Sequence, residues 1–349
     1  MQEIKVSIIM PAYNTEKYLE KALDSIHYAL KIGCEAWLID DGSTDATLKK
    51  LQEFAAQHEH VYISTQKNAG PANARNFGLK HATGKYIYFM DSDDYVEVSG
   101  IARMLEEIEK TNADVVLSGI YEETATAQTE IRYSSCAFHS HEEYLQQAIA
   151  LWDTHLPYTM GNKLYSADFI KRNNIKFPEQ YSFGEDTRFN MQVFAIADRI
   201  CVISESYYHY IRERTDSAMT KYKSNLFETR KAEYEMFWTY FEQQGLLNEK
   251  GIEYLNRRHA ERLVGCLVNL FLPGAKISFL AKVKRIKEIC TNEYTEKSLA
   301  SARFHSGKMK LLLWPLKRHL IALAFLEGAT IAFVRTNLPG IFIKLKASR

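Results

Sequence analysis

The first 120 residues alternate between short apolar runs rich in β-branched side chains and longer stretches whose apolar positions recur with a helical spacing. The apolar runs, each predicted to form a strand, lie at Val6–Met10, Ala36–Ile39, Val61–Ser64, Tyr86–Met90 and Asp114–Leu117. The stretches between them, each predicted to form a helix, lie around Glu16–Leu30, Asp45–Gln57, Pro71–His81 and Ser99–Thr111. This alternation predicts a doubly wound α/β fold with a mostly parallel central sheet.

The pattern changes after residue 120, where strands and helices no longer alternate regularly. It predicts strands at Thr129–Phe138 and Ile200–Ser204, and helices at His141–Trp152, Ala167–Asn174 and Glu185–Ala197. Beyond about residue 220 the pattern is helical and becomes increasingly apolar and basic. We therefore predict an α/β domain over residues 1–220 and a helical C-terminal region over residues 221–349.

The formal net charge of +1 conceals a basic C-terminal segment on an acidic body. Residues 301–349 contain nine Lys and Arg residues and one acid, Glu327, which gives a net charge of +8. The first 300 residues therefore carry −7, which is +1 minus +8. A basic segment of this kind indicates an anionic partner, either a membrane surface or a nucleic acid.

The apolar residues of this segment, which is basic and amphipathic from about residue 303, distinguish between the two partners. Its longest nearly apolar run, His319–Val334, has 16 residues with Glu327 and Gly328 in the middle, fewer than the roughly 20 of a spanning helix. No nucleic acid is expected, because the basic residues alternate with aliphatic ones rather than with polar or stacking side chains. We predict interfacial helices on a membrane surface, with core packing or a basic oligomer contact as the alternatives.

The cysteines and the N-terminus indicate the compartment. The five cysteines are scattered, and none forms a CxxC pair, which predicts buried free thiols in a reducing compartment. The apolar run Val6–Met10 is too short for a signal peptide and ends at Pro11. We therefore expect a cytoplasmic protein, with the C-terminal segment on the cytoplasmic face of a membrane.

Polar side chains follow three of the predicted strands at their carboxyl ends, in the segments Pro11–Asn14, Asp40–Asp45 and Asp91–Asp94. In doubly wound sheets the ligand lies beyond these strand ends. Clustered carboxylates repel one another unless a cation lies between them, and Mg²⁺ or Mn²⁺ bridging a diphosphate is the common solution. The alternative is that Asp45 caps a helix and that Asp91–Asp94 forms a polar turn. We favour the cap for Asp45 and a metal site for Asp91 and Asp93.

Four motifs resemble glycosyltransferase family 2 in their order and approximate spacing. They are Val6–Asn14, Ile39–Asp45, Asn68-Ala69-Gly70 with Ala74-Arg75-Asn76, and Asp91–Asp94. The resemblance is strong over residues 1–120, looser to about residue 220, and does not reach the C-terminal part. It implies a GT-A nucleotide-sugar-binding fold and a metal-dependent, inverting enzyme of the bacterial cell-surface glycan type. Such an enzyme transfers a sugar from a nucleotide diphosphate donor to an acceptor hydroxyl.

The resemblance also implies roles for individual residues. Pro11 and Tyr13 would line the nucleobase pocket, and Asp41 would accept a hydrogen bond from the uracil imide, which favours a UDP-sugar. Asn68 and Arg75 would hold the base and the diphosphate side of the donor.

The DxD element of the family corresponds to Asp91-Ser92-Asp93. Asp93 would ligate the Mn²⁺ or Mg²⁺ ion, while Asp91 and Ser92 would lie near the ribose or the donor sugar, with Asp91 as a second metal-side carboxylate. The cation and Arg75 would stabilise the leaving diphosphate.

A further pair of motifs, Gly161–Tyr165 and Phe183–Asp186, resembles a pattern of bacterial family members. An inverting displacement needs a base that faces the anomeric carbon opposite the leaving group. By this resemblance Asp186 is the base, and Glu185 is its neighbour or an acceptor contact. The alternative is that Asp186 only caps the helix that follows.

Four residues keep two interpretations each. His209 or Arg212, in a segment that runs to Ser217, either contacts the diphosphate or lies in a solvated turn; Lys163 and Arg188 are open in the same way.

Three other classes of protein share parts of this pattern. A sugar-1-phosphate nucleotidyltransferase would have a glycine-rich phosphate loop after the first strand, and a dinucleotide-dependent oxidoreductase would have GxGxxG there. The chain has Pro-Ala-Tyr-Asn at that place. A non-catalytic nucleotide- or glycan-binding module stays open, although the DxD element and a candidate base argue against it. The acceptor could be a lipid-linked glycan, a capsule repeat, a teichoic acid polymer or a protein glycan.

Overall fold

The computed structural model describes residues 4–124, 127–181, 184–212, 222–304 and 306–338. The chain divides into two units, residues 1–213 and residues 214–349. The domain boundary predicted near residue 220 falls within residues 213–221, outside the described residues.

The described residues of the first unit form one mixed sheet. Its strands are β1 (Val6–Ala12), β2 (Cys34–Asp40), β3 (Val61–Thr65), β4 (Tyr86–Phe89), β5 (Tyr95–Val96), β6 (Val115–Thr124), β7 (Ala127–Ile131), β8 (Cys136–Phe138), β9 (Lys163–Ser166) and β10 (Ile200–Ile211). They run in the order β3-β2-β1-β4-β9-β6-β10-β5, with β7 beside β6 and β8 beside β10. The pairing is parallel from β3 to β4 and between β6 and β10, whereas β9 runs antiparallel to both of its neighbours.

Helices α1 to α7 connect these strands. They are α1 (Leu19–Leu30), α2 (Thr47–Ala55), α3 (Pro71–His81), α4 (Val98–Thr111), α5 (His141–Asp153), α6 (Ala167–Arg172) and α7 (Glu185–Ile196). Helix α3 begins with Pro71 in its first turn, directly after Gly70 at φ +90°, an arrangement that suits the missing N–H of proline. Its Gly78 lies against β1, where an added Cβ would come within 2.4 Å of Ile9. This close approach holds the C-terminal half of α3 against the middle of β1.

Strand β1 is central to the core, because all seven of its residues are buried and it pairs with β2 on one side and β4 on the other. Apolar side chains of α1 and α4, such as Ile26 and Met104, pack against the same cluster as Ile8 and Tyr88. Burial of such side chains stabilises the fold by about 1.5–3 kcal/mol each. The strand ends that carry the polar motifs therefore project from a rigid base.

Two sequence predictions in the second half of this sheet were wrong in detail. The single strand predicted over Thr129–Phe138 is two strands, because β7 pairs with β6 and β8 pairs with β10. The strand predicted to end at Ser204 continues to Ile211, since irregular pairing between Val202 and Tyr208 lets β10 stay beside β6. Strand β9 was not predicted at all: its first residue, Lys163, is fully buried, and pattern analysis assigns a lysine to the surface.

The second unit is helical, as the sequence predicts. Its described helices are α8 (Leu226–Gln243), α9 (Glu249–Asn269), α10 (Phe279–Cys290), α11 (Glu293–Ser301), α12 (Gly307–Lys317) and α13 (Ile321–Asn337). Helix α9 supplies much of the core, including Leu263 and Leu267, and α12 contributes Leu313 and Leu316. Core packing, an alternative for the C-terminal segment, is therefore correct for these two leucines of α12. No helix within the described ranges is long and apolar enough to cross a membrane.

Helix α13 has two different apolar faces. Ala324, Gly328 and Ala332 are buried, and an added Cβ on Gly328 would lie 3.0 Å from the ring of Phe271. The large side chains Leu326 and Phe333 are instead 60% and 61% exposed. Small residues thus let α13 pack closely, and Phe325 and Ile331 pack against the same core, while Leu326 and Phe333 face outward. The part of the predicted membrane segment beyond residue 338 lies outside the described residues.

Candidate active site

The loops after β1 and β2 are hydrogen-bonded to each other at the sheet edge. The side chain of Asn14, at φ +51°, accepts a hydrogen bond from the backbone N–H of Thr44 at 2.8 Å, and its own N–H donates to the Ser43 hydroxyl at 3.0 Å. Between these contacts Pro11 is buried and Tyr13 is 45% exposed. The tyrosine ring is thus accessible at the carboxyl end of β1, where the predicted nucleobase contact requires it.

Asp45 lies one position before Ala46, the N-cap residue of α2, and binds the start of that helix from outside it. Its carboxylate accepts a hydrogen bond from the N–H of Thr47, the first residue of α2, at 2.9 Å, and the resulting hydrogen bonds lower its pKa against the opposing effect of burial.

Asp41 holds the loop that precedes α3. Its carboxylate accepts hydrogen bonds from the Gln66 side chain at 2.8 Å, from the N–H of Ala69 at 2.9 Å and from the N–H of Gly70 at 2.8 Å. Asp41 is buried, whereas Asn68 in the middle of the loop is exposed. This positioning role was not predicted from the sequence. The uracil contact of Asp41 and the donor contact of Asn68 stay predictions.

Arg75 connects two motifs that lie far apart in the sequence. It lies on α3, is 3% exposed, and forms ion pairs with Asp91 at 2.6 Å and with Glu185 at 3.2 Å. Its guanidinium group also lies over the ring of Phe177, 5.3 Å from the centroid. The buried Nε atom has no hydrogen-bond partner. The predicted contact of Arg75 with a diphosphate stays a prediction, but its two carboxylate contacts join the DxD element to the first turn of α7.

The acids that follow β4 differ in their environments. Asp94 is buried and accepts hydrogen bonds from the Tyr208 hydroxyl at 2.6 Å and the N–H of Ile211 at 2.8 Å. Burial, and then the charges of Asp93 and Asp91, raise the pKa of Asp94 well above its ordinary value. Asp91 is engaged by Arg75, and Asp93 is partly exposed. Ser92 between them is buried. Asp94 therefore has a structural role, which leaves Asp91 and Asp93 as candidate ligands.

Two carboxylates with hard oxygen donors fit a divalent cation that completes its coordination with substrate phosphates and water, the usual arrangement for Mg²⁺. No group of three or more His, Cys, Asp and Glu side chains among the described residues is placed to hold a metal ion on its own. A cation at Asp91 and Asp93 would thus require the donor diphosphate as a further source of ligands.

Glu185 and Asp186 form a carboxyl pair in the first turn of α7. The helix starts after Gly184 at φ +73°, a left-handed conformation that favours glycine. Burial, followed by the charge of Glu185, raises the pKa of Asp186 well above its ordinary value. The positive charge of Arg75 opposes this increase. Gly184 provides no side-chain cap to the helix. An acid with a raised pKa beside a fixed cation is typical of a catalytic base.

Lys163 is a structural residue of the adjacent loop. Its buried ammonium group donates hydrogen bonds to the carbonyl of Leu156 at 2.8 Å, to the side chain of Asn162 at 2.8 Å and to the carbonyl of Thr159. Burial lowers its pKa well below the ordinary value. Nearby, Tyr88 of β4 donates to the carbonyl of Gly161. These contacts attach the loop before β9 to the centre of the sheet.

His209 lies in a cluster of its own. Its ring stacks against Tyr95 and Tyr121 at centroid distances of 4.1 Å and 4.9 Å. Its two ring nitrogens lie 2.6 Å from Glu123 and 3.2 Å from Glu97. Both nitrogens are therefore occupied by carboxylates, which disfavours a contact with diphosphate.

The other uncertain residues also have partners. Arg212 forms an ion pair with Glu122, and Arg188 lies over the ring of Tyr181 and donates to the carbonyl of Gly184 at 3.1 Å. Ser217 lies outside the described residues.

Residues 7–172 match the family described as glycosyl transferase family 2. The chain is 29% identical over 243 residues to the uncharacterized glycosyltransferase EpsJ of Bacillus subtilis. The aligned region covers 69% of this chain and 71% of that protein. The chain is also 29% identical over 221 residues to the poly(ribitol-phosphate) beta-N-acetylglucosaminyltransferase TarS of Staphylococcus aureus. That match covers 62% of this chain but only 37% of TarS, so the chain spans little more than a third of that relative.

A crystal structure of S. aureus TarS in complex with UDP-GlcNAc is similar to this structure, with a TM-score of 0.62 and 23% identity. The similarity covers 95% of this chain and 92% of that chain. It confirms the predicted GT-A fold with a helical C-terminal region. Residues 7–172, just under half of the chain, thus match glycosyl transferase family 2, the family that its strand-end motifs resemble.

Proposed function

We propose that this chain is an inverting glycosyltransferase that transfers a sugar from a UDP-sugar to a hydroxyl group of a bacterial surface polymer. The observation that carries the proposal is the position of Arg75, which forms ion pairs with Asp91 of the DxD element and with Glu185 beside the candidate base Asp186. One buried cation thus links the donor side of the site to the acceptor side.

The donor site consists of the loops at the carboxyl ends of β1, β2 and β4. The exposed ring of Tyr13 offers a stacking surface for a nucleobase. The loop that carries Asn68 is held in place by Asp41, so little ordering is needed when a nucleotide binds. The complex of TarS with UDP-GlcNAc supports a uridine diphosphate donor on a related fold.

Asp93 and Asp91 are the residues that would hold Mn²⁺ or Mg²⁺ at this site. Such an ion supplies charge stabilisation to the diphosphate that leaves when the anomeric bond breaks. Arg75 keeps Asp91 in one position through a 2.6 Å ion pair, which preorganises this carboxylate before the donor binds.

Asp186 is the proposed general base. Its raised pKa makes the ionised form a stronger base than an ordinary carboxylate, so it can remove the proton of an acceptor hydroxyl during attack. Its location at the start of α7 fixes its position relative to Glu185 and Arg75. Direct displacement by that hydroxyl inverts the configuration at the anomeric carbon.

The acceptor and the location of the reaction are inferred from the relatives and from the outward face of α13. Relatives include the poly(ribitol-phosphate) beta-glucosyltransferase of Bacillus spizizenii and the minor teichoic acid biosynthesis protein GgaB of B. subtilis, which supports a cell-surface polymer as acceptor. The exposed apolar face of α13, with Leu326 and Phe333, supports attachment to the cytoplasmic face of a membrane.

The test is release of UDP from a panel of UDP-sugars in the presence of Mn²⁺, with a mixture of bacterial surface polymers as acceptors. A single preferred donor, and a product whose anomeric configuration by NMR is opposite to that of the donor, support the proposal. Binding of UDP without turnover of any donor would instead identify a nucleotide-binding module.

A further inference from the structure

A second charged pocket lies in the helical unit, between α8 and α9. Its lining residues recur at positions i, i+3, i+4 and i+7 on both helices, the spacing of a buried helix face. On α8 these are Arg230, Glu233, Tyr234 and Phe237, and on α9 they are Leu255, Arg258, His259 and Arg262. Such positions are normally apolar. Five of these eight are charged or imidazole side chains, an arrangement that costs stability unless the charges are paired and hydrogen-bonded.

Three arginines converge on a single acid in this pocket. Glu233 forms ion pairs with Arg230 at 2.7 Å, with Arg258 at 2.9 Å and with Arg262 at 3.2 Å. The three positive charges lower the pKa of Glu233 to about 2, although burial alone would raise it. Glu233 is therefore ionised at neutral pH. With His259 neutral, the lining residues carry three positive charges and one negative charge, a net charge of +2.

The deepest part of the pocket has unsatisfied polar atoms. His259 is 2% exposed, and neither ring nitrogen has a hydrogen-bond partner of ordinary geometry. Burial, and then the charge of Arg262, lower its pKa to about 4, against smaller opposing effects of Glu233 and the backbone of Arg230. A neutral imidazole in this position can donate one hydrogen bond to a ligand. A buried ring nitrogen without a regular partner is available to a bound water or ligand.

The pocket is small and partly open to solvent, so a ligand would enter through its open side. It comprises about 200 Å³ of space including that open side, and about one water-sized atom fits clear of its walls. The guanidinium carbon of Arg258 lies over the ring of Phe237, 4.0 Å from the centroid. A guanidinium held in this way has less freedom to lose when it binds, and its fork of N–H donors matches the oxygens of a phosphate group.

We propose that this pocket binds a phosphate group, with Arg230, Arg258 and Arg262 as its cationic contacts and the imidazole of His259 as a donor at its base. The net charge of +2 is neutralised by a phosphate monoester dianion and halved by a diester. The proposal uses residues of the second unit alone. Phosphate binding can therefore be tested without measuring transferase activity.

The first test is a calorimetric titration of the full chain with inorganic phosphate at constant ionic strength. We expect saturable binding by the wild type, weakened at least about tenfold in Arg262→Ala, because a charge-assisted hydrogen bond is lost. The matched control is Lys231→Ala. Lys231 lies beside Arg230 and pairs with Glu228, but it does not line the pocket, so its loss should change the affinity less than about twofold. Absence of binding, or an equal effect of both substitutions, overturns the proposal.

A second variant separates a ligand site from a purely structural ion-pair network. Glu233→Gln removes the internal counter-charge, so phosphate should bind more tightly than to the wild type. The same change should lower the Tm without phosphate, since three arginines lose their shared partner, and phosphate should restore it. A Tm that falls equally with and without phosphate shows that the cluster only holds α8 to α9, and overturns the proposal.

The source of the phosphate group is distinguished by competition. Glycerophosphoglycerol is the soluble diester, and phosphatidylglycerol vesicles, compared with phosphatidylcholine vesicles, present the same group as a lipid headgroup. Displacement of bound phosphate by either compound supports the site and assigns its source. Displacement by neither overturns a phosphate ester as the ligand.

Discussion

Arg75 and Asp91 form a 2.6 Å ion pair in which the arginine side chain is 4% exposed and the aspartate side chain is 34% exposed. The arginine is therefore buried in the protein while its partner faces the predicted donor site. Because the other side of the same guanidinium group contacts Glu185, a change at Arg75 affects both halves of the site at once.

Arg75→Lys keeps a positive charge but cannot contact both carboxylates through a planar fork. We expect a lower kcat and a pH–rate profile whose acid limb moves to higher pH. The sign follows from the positive charge of Arg75, which lowers the pKa of Asp186; a weaker interaction leaves that pKa higher. The measurement is kcat/KM between pH 5 and pH 9. The control is Arg103→Lys, on an ion pair of α4 with Glu107, which should leave the profile unchanged. An unshifted acid limb in Arg75→Lys contradicts the link.

Asp186→Asn preserves the shape of the side chain but removes its basicity. Turnover should fall by roughly 10²–10⁴-fold, while the Kd for UDP changes little, because the base acts on the acceptor. Rates of UDP release and calorimetric titration with UDP measure the two effects. Asp168→Asn, at an 81% exposed acid of α6, is the control. Near-normal turnover of Asp186→Asn would transfer the base role to Glu185.

The same substitution has an opposite effect on stability. A carboxyl whose pKa is raised in the folded protein is most stabilising while protonated, below the ordinary aspartate pKa of about 3.9. This contribution is lost as the pH rises through the raised pKa of Asp186. Asp186→Asn should therefore unfold at higher urea concentration than the wild type at pH 8, by about 1 kcal/mol or more, with a smaller difference at pH 4. A constant difference at both pH values contradicts the raised pKa.

The proposed metal site gives a prediction about nucleotide binding. EDTA should abolish turnover, and Mn²⁺ or Mg²⁺ should restore it. Asp93→Ala should weaken UDP binding only when the metal is present, because the carboxylate acts through the cation. Asp45→Ala is the matched control: this acid lies at the same sheet edge but accepts a hydrogen bond from the N–H of Thr47 in α2, so its loss should leave the metal dependence intact. Activity that survives thorough chelation contradicts the metal assignment.

The strand-end site could be predicted because parallel strands bring their carboxyl ends to one edge. The motifs after β1, β2 and β4 lie there for that reason. The ion pair between Arg75 and Glu185 could not be predicted, since it joins residues 110 positions apart through the packing of two helices. The buried Lys163 was missed for a different reason: three oxygen acceptors offset its desolvation, and these acceptors come from a loop whose conformation the hydrophobic pattern does not specify.

The charged pocket of the helical unit illustrates the same limit. The hydrophobic pattern of α8 and α9 predicts helices, but a sequence with Arg258, His259 and Arg262 in close succession reads as a solvated face. Only the structure shows that these side chains meet Glu233 on the neighbouring helix. The core-facing position of these charged residues is therefore evident only from the packing of α8 against α9.

Membrane attachment is the last prediction, and it rests on the outward face of α13. Replacement of both Leu326 and Phe333 by glutamate should reduce binding to phosphatidylglycerol vesicles at least about 100-fold, because two apolar side chains no longer enter the interface. High salt should weaken binding of the wild type, since each Lys or Arg near an anionic surface adds about 1 kcal/mol. Ile196→Glu, at an apolar side chain of α7 that is 46% exposed, is the control for added charge and should bind normally. Vesicle sedimentation at low and high salt measures all three proteins. If the wild type does not bind the vesicles at low salt, the prediction is wrong, and the outward face of α13 contacts a protein instead.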